Sequence, residues 1–240
     1  MILRFASFNV LAVVHLDKGE YTKEALEFLR SKERIPRLVE LIKSLEADVI
    51  GLQEVEHDLF EALEATGMWQ AYWSPKHRKS EGIALLVRNA IGVRDYGSAP
   101  FEDGSGHSWQ CITLDSGITV INTHIKWERE DAIDHAGVNQ VTELLGYVPA
   151  PAVILADSNG RTGGRVRTLF AEAGYKDIWA GVPTALVVKD GIPELAPIDI
   201  IAVRCLEAEP YGTPPSVVNI PNATIPSDHV PIMANVYTVE

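Results

Sequence analysis

Pro151-Ala-Val-Ile-Leu-Ala-Asp157-Ser-Asn159-Gly160 sets the pattern for the whole chain. The run from Pro151 to Ala156 carries no polar side chain, which reads as a strand buried on both faces. Where the apolar run stops, it delivers Asp157 and Asn159, two residues apart, on a segment that turns at Gly160. Two polar groups in that position can aim at one point.

Working outward, the same construction recurs. Ile2 to Asn9 is a short apolar strand ending at Asn9, and Asp48-Val-Ile-Gly-Leu-Gln-Glu54 is a buried strand ending at Glu54. Ile118 to His124 closes on Asn122-Thr-His124, and Glu81-Gly-Ile-Ala-Leu-Leu-Val87 opens on Glu81. In Ala196-Pro-Ile-Asp199-Ile-Ile-Ala-Val203 an acid lies within the apolar run, and a half-buried carboxylate needs a His or Arg partner. Pro226-Ser-Asp228-His229-Val-Pro-Ile232 holds an Asp-His pair between two prolines that stiffen the backbone. Taken singly, each residue has an ordinary reading too. Asn9 suits a turn, Glu54 could open the helix expected over Glu56 to Ala65, and a lone His124 could be structural.

The remaining segments supply the framework. Ile35, Leu38, Val39 and Ile42 make a helical stripe extended by Leu45, with Pro36 in its first turn. Further helices are expected over Lys23 to Lys32, over Glu128 to Tyr147 as one helix or two pieces, and up to Ala173. Strands are expected at Trp69 to Trp73, Gly92 to Asp95, Tyr175 to Trp179 and Pro231 to Tyr237, with Ser98 to Gly106 as a connection. His107 to Leu114 and Ile118 to His124 form a hairpin around Asp115-Ser-Gly117. Irregular alternation of strands and helices with a hairpin predicts a mixed sheet system with helices outside it.

The 240 residues are 46% apolar, enough for one large core, and no linker or repeat divides them, so residues 1–240 read as a single domain. The net charge of -12 disfavours tight sequence-independent binding of long nucleic acid through a wide basic face, without excluding nucleic acid as a substrate. It leaves room for a phosphate held by a metal ion and a few local cations. The basic stretch Ser74-Pro-Lys-His-Arg78-Lys79 is either a solvated loop or such a contact. Cys111 and Cys205 lie in apolar runs and read as two buried thiols in a reducing compartment. The first residues read as a strand and no apolar run reaches membrane-spanning length, so the expected location is cytoplasmic. No Gly-x-Ser-x-Gly, P-loop, Cys-x-x-Cys or His-Glu-x-x-His pattern occurs. The oxygen-rich, sulfur-poor set at the strand ends selects a hard cation, Mg²⁺, Mn²⁺ or Ca²⁺, over Zn²⁺.

In order along the chain, Ser7-Phe-Asn9, Leu52-Gln-Glu54, Asn122-Thr-His124, Ala156-Asp-Ser-Asn159, Ile198-Asp199 and Ser227-Asp-His-Val-Pro231 resemble the endonuclease/exonuclease/phosphatase superfamily. The resemblance spans nearly the whole chain. It implies a four-layer α/β sandwich, two mixed, mostly antiparallel β-sheets packed face to face with helices outside, and a site at one edge. It also implies hydrolysis of phosphodiesters with Mg²⁺ or Mn²⁺, by a nuclease or an enzyme that processes nucleic-acid ends, acting as a monomer.

Carried over by position, Glu54 matches the principal metal ligand, with Asn9 beside it and Asp228 as a further acidic residue near the metal. Asp157 matches the group that orients or deprotonates the attacking water, and Asn159 the amide that contacts the phosphoryl group. His229 matches the histidine that stabilises charge on the phosphorane, Asp199 the carboxylate that orients it, and His124 a second phosphate-facing histidine. Glu81 resembles the acid that orients this second histidine in pancreatic deoxyribonuclease-like members. Arg161, Arg78, Lys126 and Trp127 are the candidate substrate contacts. His135, Gln140 and Arg161 also resemble members that process DNA ends. The usual Gly-Asp-x-Asn reads Ala156-Asp-Ser-Asn159 here, a small-for-small change. A hydrolase of phosphomonoesters, small phosphorylated metabolites or lipid headgroups is the alternative, and a non-catalytic binding module on the same fold is a third reading.

Overall fold

The computed structural model describes residues 1–17, 19–189 and 191–238. In chain order the strands are β1 (Ile2–Asn9), β2 (Val49–Glu56), β3 (Trp69–Pro75), β4 (Glu81–Arg88), β5 (Val93–Pro100), β6 (Ser108–Leu114) and β7 (Thr119–His124). They continue with β8 (Ala152–Asp157), β9 (Lys176–Asp177), β10 (Ala185–Lys189), β11 (Ile192–Ala196), β12 (Asp199–Arg204), β13 (Glu207–Pro210) and β14 (Ile232–Tyr237). The helices are α1 (Lys23–Leu29), α2 (Arg34–Ser44), α3 (His57–Glu64), α4 (Ala136–Tyr147) and α5 (Arg165–Glu172). Two six-stranded sheets run β13-β14-β1-β2-β4-β3 and β5-β6-β7-β8-β12-β9, and β10 and β11 form a separate hairpin.

Strand periodicity builds the layers. Phe5, Val49, Leu85, Val120, Val153, Leu155 and Ile201 share one apolar cluster between the sheets. Their neighbours Ala6, Ile50, Leu86, Ile154 and Ile200 point the other way, the first three onto α2 and α3 and the last two onto α4 and α5. Helix, sheet, sheet and helix therefore stack as a four-layer sandwich. The sheets approach closely at Gly51, where an added Cβ would lie 2.7 Å from Leu155 Cβ. Beside it Asn122 ties the sheets together, donating to the carbonyls of Leu52 (3.0 Å) and Ala84 (2.9 Å) and accepting from Gln53 Nε2 (2.8 Å).

The inner face changes character towards one edge. Each sheet has one parallel pair, β1 with β2 and β7 with β8, so Asn9 pairs beside Gln53 and His124 beside Asp157 at the same end. The antiparallel neighbours begin where those strands finish, with Asp199 opposite Asp157, Glu81 opposite Glu56 and Ile232 opposite Ser7. Asn9, Gln53, Asn122, His124, Asp157 and Asp199 continue the inward parity of the core residues before or after them, so the inter-sheet core ends in a mouth of polar groups.

Several sequence expectations are corrected. The helix expected from Glu128 begins only at Ala136, because Glu128 to Asp134 carry no apolar stripe and His135 caps α4, its Nδ1 accepting the Val138 N–H at 3.3 Å. β5 runs on to Pro100, through the start of the expected connection, as an edge strand that tolerates proline at its end. Only Lys176–Asp177 of the stretch from Tyr175 to Trp179 pairs as a strand. The β10–β11 hairpin and β13 were not anticipated. Cys205 is exposed on a turn with φ 58° and Cys111 is half-buried, so the two thiols are not both core groups. Among the described residues no helix is long and apolar enough to cross a membrane.

Candidate active site

Glu54 owes its position to a fault in its own strand. The pairing of β2 with β4 slips between Gln53 and Val55, leaving Glu54 as the extra residue of a bulge with φ 57°, a left-handed conformation costly for a non-glycine residue. The bulge resets the strand's parity. Gln53 stays on the inward face, Val55 turns to the helices, and Glu54 is freed to line the cleft.

Asn9 joins the two sheets at this point. Its Nδ2 donates to Glu54 Oε1 (3.1 Å) and to Asp157 Oδ2 (2.9 Å), while its Oδ1 accepts the Leu11 N–H (2.9 Å). Glu54 Oε2 accepts the Ala12 N–H at 2.9 Å, and Asp157 Oδ1 accepts the Asn159 N–H at 2.9 Å. Burial raises both carboxyl groups above their ordinary pKa, and the charge of Asp228 adds to this, while Asn9 and His15 at Glu54, and His229 and Asn9 at Asp157, work in the opposite direction.

His229 and Asp199 form the second unit. His229 Nδ1 lies 2.8 Å from Asp199 Oδ2, and Asp199 is fully buried. Burial disfavours the imidazolium, yet Asp199, and behind it Asp157 and Asp228, outweigh that and hold the His229 pKa well above its usual value. Its Nε2 stands 3.8 Å from Asp157 Oδ2, too far for a hydrogen bond between them. The pairing of His229 with Asp199 rather than with its neighbour Asp228 is the one anticipated from the sequence. Asp228 instead accepts from the Tyr21 hydroxyl at 2.7 Å through Oδ2, and its buried Oδ1 has no hydrogen-bond partner.

His124 is of the opposite kind. Burial, with His107 and Lys76 nearby, pushes its pKa well below the usual value, so it is neutral. Its Nε2 lies 3.1 Å from Asn159 Nδ2, which also donates to the Ile125 carbonyl at 2.9 Å. The Asn159 amide is therefore engaged within the protein on both sides, by the Ile125 carbonyl and the His124 ring. Glu81 does not bond His124. It pairs with Lys76 (3.1 Å) and His15 (3.6 Å), and although burial works against this, those partners hold it at about 2, with its charge still felt at His124.

Glu54, Asp228, His124 and Asn159 line a cleft of about 380 Å³, with Lys126 and Trp127 on its wall, while Asn9, Asp157, Asp199 and His229 are buried behind them. Arg161 is not on that wall; it forms a bidentate pair with Glu194 on the hairpin. Arg78 lines a neighbouring groove together with Lys76 and Lys79. His135 serves as a helix cap, and Gln140 Oε1 accepts the Lys126 N–H at 2.8 Å, fixing the start of the loop that bears Trp127.

Sequence reasoning missed His15, at the end of a short 3-10 turn, and Tyr21 and His107, all three on the cleft wall; Lys76, also on that wall, belongs to the basic stretch marked as a possible phosphate contact. His107 Nδ1 donates to the His124 carbonyl at 2.8 Å, and burial, with Lys76 adding, lowers its pKa to about 4. Arg34 was missed as well. It is buried at the start of α2, where it donates to the carbonyls of Val10 (2.6 Å), Leu11 and Pro226 (3.3 Å), clamping together the loops that follow Asn9 and precede Asp228. Its signal was only a charged residue beside an apolar stripe.

Two groupings could be considered for a cation. Asp157, Asp199 and His229 bring ligand atoms within 4.8 Å of one another. An imidazolium bonded to Asp199 has no lone pair to offer, so that trio is a hydrogen-bonded unit and a poor ligand set. Glu54 and Asp228 fit better. Both line the cleft, one Asp228 oxygen accepts no hydrogen bond, and an all-oxygen set suits a hard divalent ion.

The architecture is shared with solved structures. The catalytic domain of human Nocturnin, solved with a bound sulfate anion, superposes with a TM-score of 0.75 at 18% identity, covering 99% of this chain and 94% of that one. ANGEL2, a 2′,3′-cyclic phosphatase, gives 0.76 at 17% identity over 98% and 95% of the two chains. TDP2 from C. elegans gives 0.69 at 18% identity over 99% and 75%. No curated protein matches the chain. At these identities the likeness is one of fold, but the family model for the Endonuclease/Exonuclease/phosphatase family matches residues 6–229, through every motif from Asn9 to His229. This chain belongs to that family.

Proposed function

We propose that the protein is a Mg²⁺-dependent phosphodiesterase acting on nucleic acid or a nucleotide-like phosphodiester. The observation that carries this reading is the amide of Asn9 bridging Glu54 and Asp157 beside a His229 held protonated by Asp199. Glu54 and Asp228 hold the ion, Mg²⁺ or Mn²⁺, which when bound neutralises charge on a phosphoryl oxygen. Asp157, made more basic by burial, orients a water and takes its proton. Asn9 fixes one Asp157 oxygen and the Asn159 N–H fixes the other, so the carboxylate meets the water in one orientation. His229 donates from Nε2 to charge developing on the phosphoryl group or the departing alkoxide, and Asp199 keeps it oriented and charged. Asn159 and neutral His124 form the amide and imidazole wall facing the phosphate. Lys126 and Trp127 contact the substrate beyond the phosphate.

The net charge of -12 and a cleft of about 380 Å³ favour, as a second reading, a small phosphorylated metabolite over a long polymer. One panel separates the possibilities: single- and double-stranded DNA, RNA, nucleotides, phosphomonoesters and lipid headgroups, each with Mg²⁺, Mn²⁺ or EDTA. The proposal expects phosphodiester cleavage with Mg²⁺ that EDTA abolishes. Turnover of monoesters alone would move the assignment to the second reading, and no metal-dependent turnover at all would make this a binding module. Long nucleic-acid substrates should weaken steeply with salt and small ones little.

A further inference from the structure

Asp199 stands in the second sheet and His229 on the loop entering the first, and one residue outside every motif is bonded beside both. Thr184 lies just before β10 and is fully buried. Its Oγ1 accepts two successive N–H groups, those of Ile198 (3.2 Å) and Asp199 (3.1 Å), where the chain leaves β11 and enters β12. The same hydroxyl donates to the Ala196 carbonyl at 3.3 Å, so its one donor and two acceptor sites are all in use. The Thr184 carbonyl accepts the Val230 N–H at 2.8 Å. Next along, Ala185 bridges to His229 and the Leu186 N–H donates to the Asp228 carbonyl at 2.8 Å.

We propose that Thr184 is a positioning residue for the His229–Asp199 pair: its hydroxyl sets where the Asp199 carboxylate stands, and through it the direction in which His229 presents Nε2. An aspartate side chain is short, so its carboxylate can stand only where the backbone puts it. The 2.8 Å contact between Asp199 Oδ2 and His229 Nδ1 therefore depends on the place of the Asp199 backbone. Pairing of β12 with β8 sets Asp199 opposite Asp157, but that register belongs to the second sheet alone. Thr184 supplies a tie to the loop that carries His229. The tie matters because other carboxylates compete for the ring. Asp157 Oδ2 and Asp228 Oδ1 lie 3.8 Å and 4.0 Å from His229 Nε2, so a displaced Asp199 would let the imidazole turn towards them. The effect on turnover rests on the reading of His229 as the proton donor; the effect on the pair does not.

Thr184→Val keeps the shape and removes the acceptor. It should lower kcat by about tenfold while KM and the Mg²⁺ requirement stay as in wild type. Thr184→Ser, which retains Oγ1, should keep the wild-type kcat. A second readout needs no turnover. In metal-free protein the Nδ1 proton that His229 shares with Asp199 gives a far-downfield proton NMR signal, identified by its loss in Asp199→Asn. That signal should move upfield in Thr184→Val and stay in place in Thr184→Ser. If Thr184→Val does not fold, Thr184→Ala removes the same hydroxyl without filling its space, and the same comparison decides. A moved signal with wild-type kcat would uphold the positioning and count instead against His229 as the proton donor. An unmoved signal in the valine variant would overturn the proposal, as would a serine variant that loses as much rate as the valine one.

Discussion

The two sheets pair their strands in the same sequence of directions: two antiparallel steps from one edge, a parallel step at the centre, then two antiparallel steps. Yet they bring different chemistry to the shared mouth. The sheet built on β1 and β2 contributes Asn9 and Glu54 and, on the loop entering β14, Asp228 and His229. The sheet built on β7 and β8 contributes His124, Asp157 and Asp199, with Asn159 just beyond β8. On the proposed mechanism the first side would hold the ion and the proton donor, and the second the base and the groups that orient its partners. The lesson is that one topology, used twice, fixes where polar residues can stand, while sequence alone decides what each position does.

The division can be broken from either side. The largest effect is expected for Asp157→Asn, which keeps the shape but removes the base: turnover should fall by about 10³-fold, with the metal requirement unchanged, read as kcat against Mg²⁺ concentration. A loss seen only at low metal would mean that Asp157 belongs to the ion-holding side.

Asp199→Asn comes next, with a fall of about 10²-fold and a distinctive pH signature. The partner carboxylates raise the His229 pKa, so the protonated form is present below that raised value and lost as pH rises through it. Removing the charge of Asp199 lowers this pKa, so the basic limb of the pH–rate profile should move to lower pH. The same linkage acts on stability. The contribution of the pair is fully present below the ordinary histidine pKa of about 6.5 and fades as pH passes the raised value, so urea unfolding of wild type and variant should converge at high pH. An unmoved basic limb would show that His229 takes its charge from elsewhere.

The smallest effect is expected for Asp228→Asn. It should raise the Mg²⁺ concentration needed for half-maximal rate by about 10-fold while leaving the rate at saturating metal largely intact. A large fall at saturating metal would put Asp228 in the chemistry.

Those positions were legible in the sequence because an apolar run has a visible end, and parallel neighbours must end together. Asn9, Glu54, His124 and Asp157 are marked this way, and Asp199 as an acid inside an apolar run. The β10–β11 hairpin was not legible, since Ile192 and Leu195 are exposed and the pair lacks a buried alternating face. His15, Tyr21 and His107 were invisible for a related reason. Each becomes meaningful only through a contact across the fold, as with Tyr21 and Asp228, which are 207 positions apart. Nor did the sequence show that the Asn159 amide contacts the Ile125 carbonyl and the His124 ring.

The Asn9 amide spans two carboxylates that belong to different sheets, one of them 148 positions away along the chain. Neither half can assemble the centre alone. The sheet that carries Asn9 and Glu54 also takes in β13 and β14, so a nascent chain without them lacks that closed sheet and, with it, Asp228 and His229. Activity is therefore also a test of assembly: a hydrolase of this design stays harmless to its host's phosphodiesters until its last strand is in place.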